Sequence, residues 1–293
     1  MSAVAFRESG LVFPCGGERL VGVLACPAEP AATGVLVIVG GPQYRAGSHR
    51  QFVHLSRHLA GHGIACMRFD YRGMGDSTGA MRTFESVDDD IRAAVDAFLA
   101  AVPSVRSVVL WGLCDGASAA CFYAPTDPRV AGLILANPWV RTQETQARTY
   151  LKHYYLKRVI ELSFWRKLLS GEVRVRDSAA SLGAALAASR QQARTSEPPA
   201  DLRTLPLPER MAHSVRVFGG GITVLLSGND YTAAEFKEAM GTSKLWQDRL
   251  AQRDALIREF AHADHTFSRA DWKRQVAEAS VGVLAGYAVR SIG

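Results

Sequence analysis

Gly112-Leu113-Cys114-Asp115-Gly116 sets a thiol between two glycines. The apolar run Ser107–Trp111 before it reads as a strand, and Ala117–Tyr123 after it reads as a helix. A side chain at such a sharp strand-to-helix turn has a strained backbone and projects from the top of the strand. Flanking glycines, having no Cβ, let strand and helix approach closely. The positive end of the helix lies beside the sulfur, which favours the thiolate. The chemistry this suits is covalent: a thiolate attacks an acyl carbon and holds the acyl group as a thioester. A buried structural cysteine is the commoner fate of a free thiol, and it is the strand–turn–helix setting that favours catalysis here.

The segments around this turn must position it. Leu11–Phe13 and Leu20–Cys26 read as a β-hairpin about Cys15-Gly16-Gly17-Glu18. Gly34–Val39 is a β-branched run of the kind buried on both faces of a sheet, stopping at Gly40-Gly41-Pro42-Gln43. Gln51 to His62 has helical spacing, with Phe52, Leu55 and Leu59 on one face. The alternation continues with a strand at Ile64–Phe69, a helix at Val87–Ala101 and a strand at Val130–Ala136. Strand alternating with helix predicts an α/β fold: a mostly parallel sheet with helices on both faces. The pattern breaks after Asn137-Pro138. Residues 138–208 are expected to be an inserted, partly helical cap, rich in Tyr, Trp, Lys and Arg and then in Ala, Ser and Pro. The core is then split into 1–137 and 209–293. In its second part a helix is expected at Pro208–Phe218, a strand at Ile222–Ser227, a helix at Ser243–Gln252, a strand at Ala255–Phe260 and a last helix from Arg269.

Asp70-Tyr71-Arg72-Gly73-Met74-Gly75-Asp76-Ser77 after the strand Ile64–Phe69 makes the chain resemble an α/β hydrolase. In that superfamily a turn of this pattern is structural, with the glycines permitting it and Asp70 and Arg72 bracing it. The resemblance implies a nucleophile elbow at Cys114, where serine is usual. It also implies an oxyanion hole made by the Asp115 N–H and a donor in the loop after Gly34–Val39. Pro42 has no N–H, so that donor is Gln43 or Gly41. The superfamily order of nucleophile, acid and histidine selects Asp230 in Gly228-Asn229-Asp230. It selects His265 in Ala261-His262-Ala263-Asp264-His265-Thr266-Phe267, with His262 as competitor and Asp264 as a loop-bracing carboxylate. More narrowly, Gly40 to Phe52, the cysteine elbow and Asp264-His265-Thr266-Phe267 are similar to the hydrolase 1 associated with the exosortase A system of exopolysaccharide-producing bacteria. Dienelactone hydrolases and polyhydroxyalkanoate synthases share the cysteine elbow. The resemblance implies an esterase- or thioesterase-like hydrolase. An acyltransferase passing the acyl group to a sugar, amine or peptide is the first alternative, and a non-catalytic binding protein on a hydrolase fold the second.

Composition sets bounds on partners. The 34 Lys+Arg against 28 Asp+Glu give a mild excess of +6, and no nucleic-acid-binding motif accompanies it. A weak association with a membrane surface or with polysaccharide machinery would rest on the basic, aromatic segment 141–169. The five cysteines form no CxxC pair, which disfavours a disulfide framework and a zinc site. No cofactor is expected. The first ten residues lack the pattern of a signal peptide, and a cytoplasmic location is expected, where a thiol stays reduced.

Overall fold

The computed structural model describes residues 4–140, 202–252 and 255–290. The cap expected at 138–208 falls, for residues 141–201, outside them. Elements are numbered in chain order over the described residues.

The chain opens with the hairpin β1 (Phe6–Cys15) and β2 (Glu18–Pro27), longer than its apolar centres alone suggest. Gly16 and Gly17 turn it with φ of 57° and 84°, a pair that glycine adopts without strain. Next come β3 (Thr33–Ile38), α1 (Gln51–Gly61), β4 (Cys66–Phe69), α2 (Asp88–Ala101), β5 (Ser107–Leu113), α3 (Asp115–Tyr123) and β6 (Val130–Ala136). The second part supplies α4 (Leu207–Val217), β7 (Gly221–Ser227), α5 (Tyr231–Thr242), α6 (Lys244–Leu250), β8 (Ala255–Phe260) and α7 (Ala270–Arg290). Helix α5 has no counterpart in the periodicity reading, which places one helix between β7 and β8 where the chain forms two.

The eight strands run in the order β1-β2-β4-β3-β5-β6-β7-β8. From β4 to β8 every neighbouring pair is parallel, and only β1 and β2 run against their neighbours. This is the α/β-hydrolase architecture, as the strand–helix alternation implies. Every residue of β3 and β7 is buried, because helices cover both faces. The side-chain alternation of a strand then feeds two cores. Leu36 and Ile38 of β3 point into one, shared with α2, α3, α4 and α5. Val35 and Val37 point into the other, with Phe52, Leu55 and Leu59 of α1 and Val276 to Leu284 of α7. The three apolar residues read as one face of α1 are all within it.

The turn after β4 carries more than itself. Gly73 and Gly75 have φ of 71° and 54°, and a Cβ on Gly75 would collide with the Asp70 carboxylate. Arg72 reaches out of the turn to Asp90 on α2, at 2.7 Å and fully buried on the Asp side. Asp70 reaches the loop after β3, accepting from the Arg45 N–H at 2.7 Å and pairing with the Arg45 guanidinium.

Candidate active site

Parallel strands end together, so the loops that follow β3, β5, β7 and β8 gather at one edge of the sheet. Cys114 is the residue between β5 and α3. Its φ of 59° and ψ of −128° are a conformation an L-residue holds only when its surroundings enforce it. They do so through the backbone. Its N–H donates to Ala136 O at 3.0 Å, and its carbonyl accepts from Ala117 and Trp139 at 3.0 and 3.1 Å. A Cβ on Gly112 would sit 2.6 Å from the Ala117 backbone, and one on Gly116 would run into Ile38 O. The two glycines of the motif are therefore required by close approach, one to the helix and one to β3.

Asp230 is the N-cap of α5: its carboxylate accepts from Thr232 N and Ala233 N at 3.2 and 3.1 Å. The same carboxylate meets His265 Nδ1 at 2.8 Å, with only 8% of its side chain exposed. The Cys114 side chain lies close enough to His265 to add to the same pull on its proton. Burial disfavours the imidazolium, but the pull of Asp230 and Cys114 outweighs it and carries His265 up to about 10. The structure thus places His265 in contact with Asp230 and within electrostatic reach of Cys114. His262 is exposed at the surface. Asp264 accepts from Thr266 N at 3.2 Å, Ser268 N at 2.9 Å and the Ser268 hydroxyl, bracing the loop that leads into α7.

The amides read as oxyanion donors are differently engaged. Gly41, with φ of 60°, donates its N–H to Asp115 Oδ1 at 2.5 Å. Gln43 donates its N–H to Gly41 O at 2.8 Å. The first donor meets an anion of the chain itself, and the second closes a tight turn. Burial lifts the Asp115 carboxyl above its usual range, against the pull of the Gly41, Gly116 and Asp115 amides and of the His265 charge.

One residue at this edge escapes the motif reading. Asn137, fully buried with φ of 43°, follows β6. Its Nδ2 donates to Ser227 Oγ and to His265 O, both at 2.9 Å, and its Oδ1 accepts from Ser227 N at 2.8 Å. Ser227 Oγ in turn donates to Asp264 O at 2.8 Å. Its only sequence signal is that Asn137-Pro138 ends the strand–helix alternation, and asparagine is among the few residues that tolerate a left-handed backbone.

Burial acts on the other thiols. It pushes Cys66 up to about 12, raises Cys121 further, and raises Cys15 and Cys26 as well.

With this geometry, residues 30–197, more than half of the chain, match the family described as serine aminopeptidase, S33. The chain belongs to that S33 hydrolase family. The match spans the turn that carries Cys114. No curated protein sequence matches the S33 chain significantly. Among solved structures it is similar to the Pyrococcus furiosus esterase Pf2001, with a TM-score of 0.64 and 12% identity over 96% of this chain and 91% of that one. It is also similar to Est1E from Butyrivibrio proteoclasticus, solved with ferulic acid, with a TM-score of 0.60 and 16% identity over 94% and 98%. The esterase domain of a Rhodothermus marinus protein gives a TM-score of 0.56 and 19% identity over 94% and 97%. At such identities the likeness is one of fold.

Proposed function

We propose that this S33-family hydrolase cleaves a carboxylic ester or thioester through an acyl-enzyme on Cys114. The observation that carries this reading is the strained cysteine, φ 59°, at the same sheet edge as a histidine that meets a buried carboxylate at 2.8 Å and feels the cysteine's charge. His265 takes the thiol proton, and the sulfur attacks the acyl carbon. The imidazolium then gives that proton to the departing alcohol or thiol. Asp230 fixes which imidazole nitrogen faces the sulfur and stabilises the imidazolium. A water activated by His265 then hydrolyses the thioester. The esterases among its structural neighbours support an ester as the bond broken. The motif resemblance to exosortase A-associated hydrolases supports a role beside exopolysaccharide production. The reading includes a cytoplasmic setting. Among the described residues no helix is long and apolar enough to cross a membrane.

The test is intact-protein mass spectrometry after exposure to a panel of aryl esters and acyl thioesters. One acyl group should accumulate on Cys114, and Cys114→Ala should accumulate none while keeping its circular dichroism. An adduct that forms on Cys114→Ala at the wild-type rate would sink the proposal.

A further inference from the structure

An acyl-enzyme needs amide hydrogens that can meet an oxyanion, and here one of the candidate donors already meets a carboxylate. The Gly41 N–H donates to Asp115 Oδ1 at 2.5 Å. The Gly116 and Asp115 amides at the start of α3 also favour the charged form of that carboxyl. A Cβ built on Gly40 would lie 2.5 Å from that Oδ1 and 3.0 Å from the Gly116 nitrogen, so the carboxylate fits against the loop only because residue 40 has no side chain. Amides converging on a carboxylate at the start of a helix form an anion seat. The tetrahedral oxygen formed by attack of Cys114 belongs in that seat.

Among the described residues, His265 and Tyr71 interact with the carboxylate through charge, and Cys114 precedes it in the chain. His265, on the loop after β8, acts on it through its charge. Tyr71, at the end of β4, has its phenol held far up by burial, then by the charges of Asp115 and Asp90, and its hydroxyl is buried without a hydrogen-bond partner among the described residues.

We propose that Asp115 sets the rate of acylation: its carboxylate competes with the substrate's acyl oxygen for the Gly41 N–H, and the reaction requires that bond to be given up. The inference rests on Cys114 as nucleophile. In the step, the Cys114 sulfur forms a bond to the acyl carbon and the carbonyl π pair moves to oxygen. That oxyanion accepts the Gly41 N–H. As the pair returns, the bond to the leaving group breaks, and His265 supplies the leaving group's proton. Two anions do not share one amide at this range, so Asp115 swings aside or takes up a proton.

The experiment compares acylation of the wild-type, Asp115→Asn and Asp115→Ala proteins by p-nitrophenyl acetate across about pH 5 to 9. Alkylation of Cys114 by iodoacetamide, which develops no oxyanion, runs in parallel. Near neutral pH, kcat/KM for acylation should rise about tenfold in Asp115→Ala and less in Asp115→Asn, while alkylation changes by less than about threefold. The gap between wild type and Asp115→Asn should close as pH falls and Asp115 takes its proton. If iodoacetamide prefers Cys114 but both variants acylate at the wild-type rate or slower, the competition does not exist. If iodoacetamide shows no preference for Cys114 in the wild type, the nucleophile reading fails, and this inference with it.

Discussion

His265 is the residue on which the site's electrostatics turn. Its ordinary value of 6.5 is carried up to about 10 in the folded protein, where Asp230 and Cys114 outweigh its burial. A folded-state value above the unfolded one means that the proton stabilises the fold. That contribution is complete below about pH 6.5 and is lost as pH rises through about 10. The melting temperature of the wild type relative to His265→Gln should therefore be highest below pH 6.5 and shrink steadily towards pH 10. A difference that stays constant across that window would show that the Asp230 contact adds nothing to the imidazolium. Asp230 itself has two tasks, capping α5 and facing the ring, so the same carboxylate fixes the helix and the tautomer.

At the scale of elements, the loop after β3 owes its place to the turn after β4. Asp70 has no exposed side-chain surface and holds both the Arg45 main-chain N–H and the guanidinium. Arg45 also pairs with Asp76 at 2.8 Å, and Asp76 accepts from the Tyr44 hydroxyl at 2.7 Å. Asp70→Asn would leave a buried guanidinium facing an amide instead of a carboxylate, at a cost of about 3 kcal/mol in denaturant unfolding. Because Gly41 lies on that loop, the variant's acylation rate should fall by more than the loss of folded protein explains. A variant with wild-type unfolding and wild-type acylation would show that the loop holds itself. Arg72 and Asp90 make the corresponding tie between the turn and α2, so the pattern read as bracing one turn in fact fastens three elements.

Over the whole molecule, Asn137 joins parts of the chain that are far apart in sequence. Its amide links the end of β6 to Ser227 at the end of β7 and to the His265 carbonyl, 128 positions away. Asn137→Ala would strand several buried polar groups and put alanine at a positive φ, costing about 3 kcal/mol. Asn137→Asp can keep the bond from Ser227 N but cannot donate to His265 O. It should fold more stably than the alanine variant and still lose acylation about tenfold or more. Equal activity in wild type and Asn137→Asp would mean that the His265 loop is held in place without this donor.

Much of this protein is written in local patterns. The β-branched run of β3, the 3.6-residue spacing of α1 and the glycine-flanked thiol each constrain only a few adjacent residues. Periodicity and Cβ sterics therefore reveal them without knowledge of the rest of the fold. The parallel sheet follows from strand–helix alternation, and with it the edge at which the loops of Cys114, Asp230 and His265 meet. Periodicity does not reveal α5 because its apolar stripe is weak, although its cap, Asp230, stands out in the sequence as the candidate acid. What only the tertiary structure decided are the partners of single polar atoms. The sequence names Asp115, Gly41 and Gln43 as neighbours of an oxyanion but cannot say that a carboxylate rests on the Gly41 amide. It shows Asn137 only as the end of a pattern, with no hint of its bonds to β7 and the His265 loop. Such contacts depend on where chain segments tens of residues apart come to lie within 3 Å, and hydrogen-bond geometry at that range is set by packing, not by any local residue pattern.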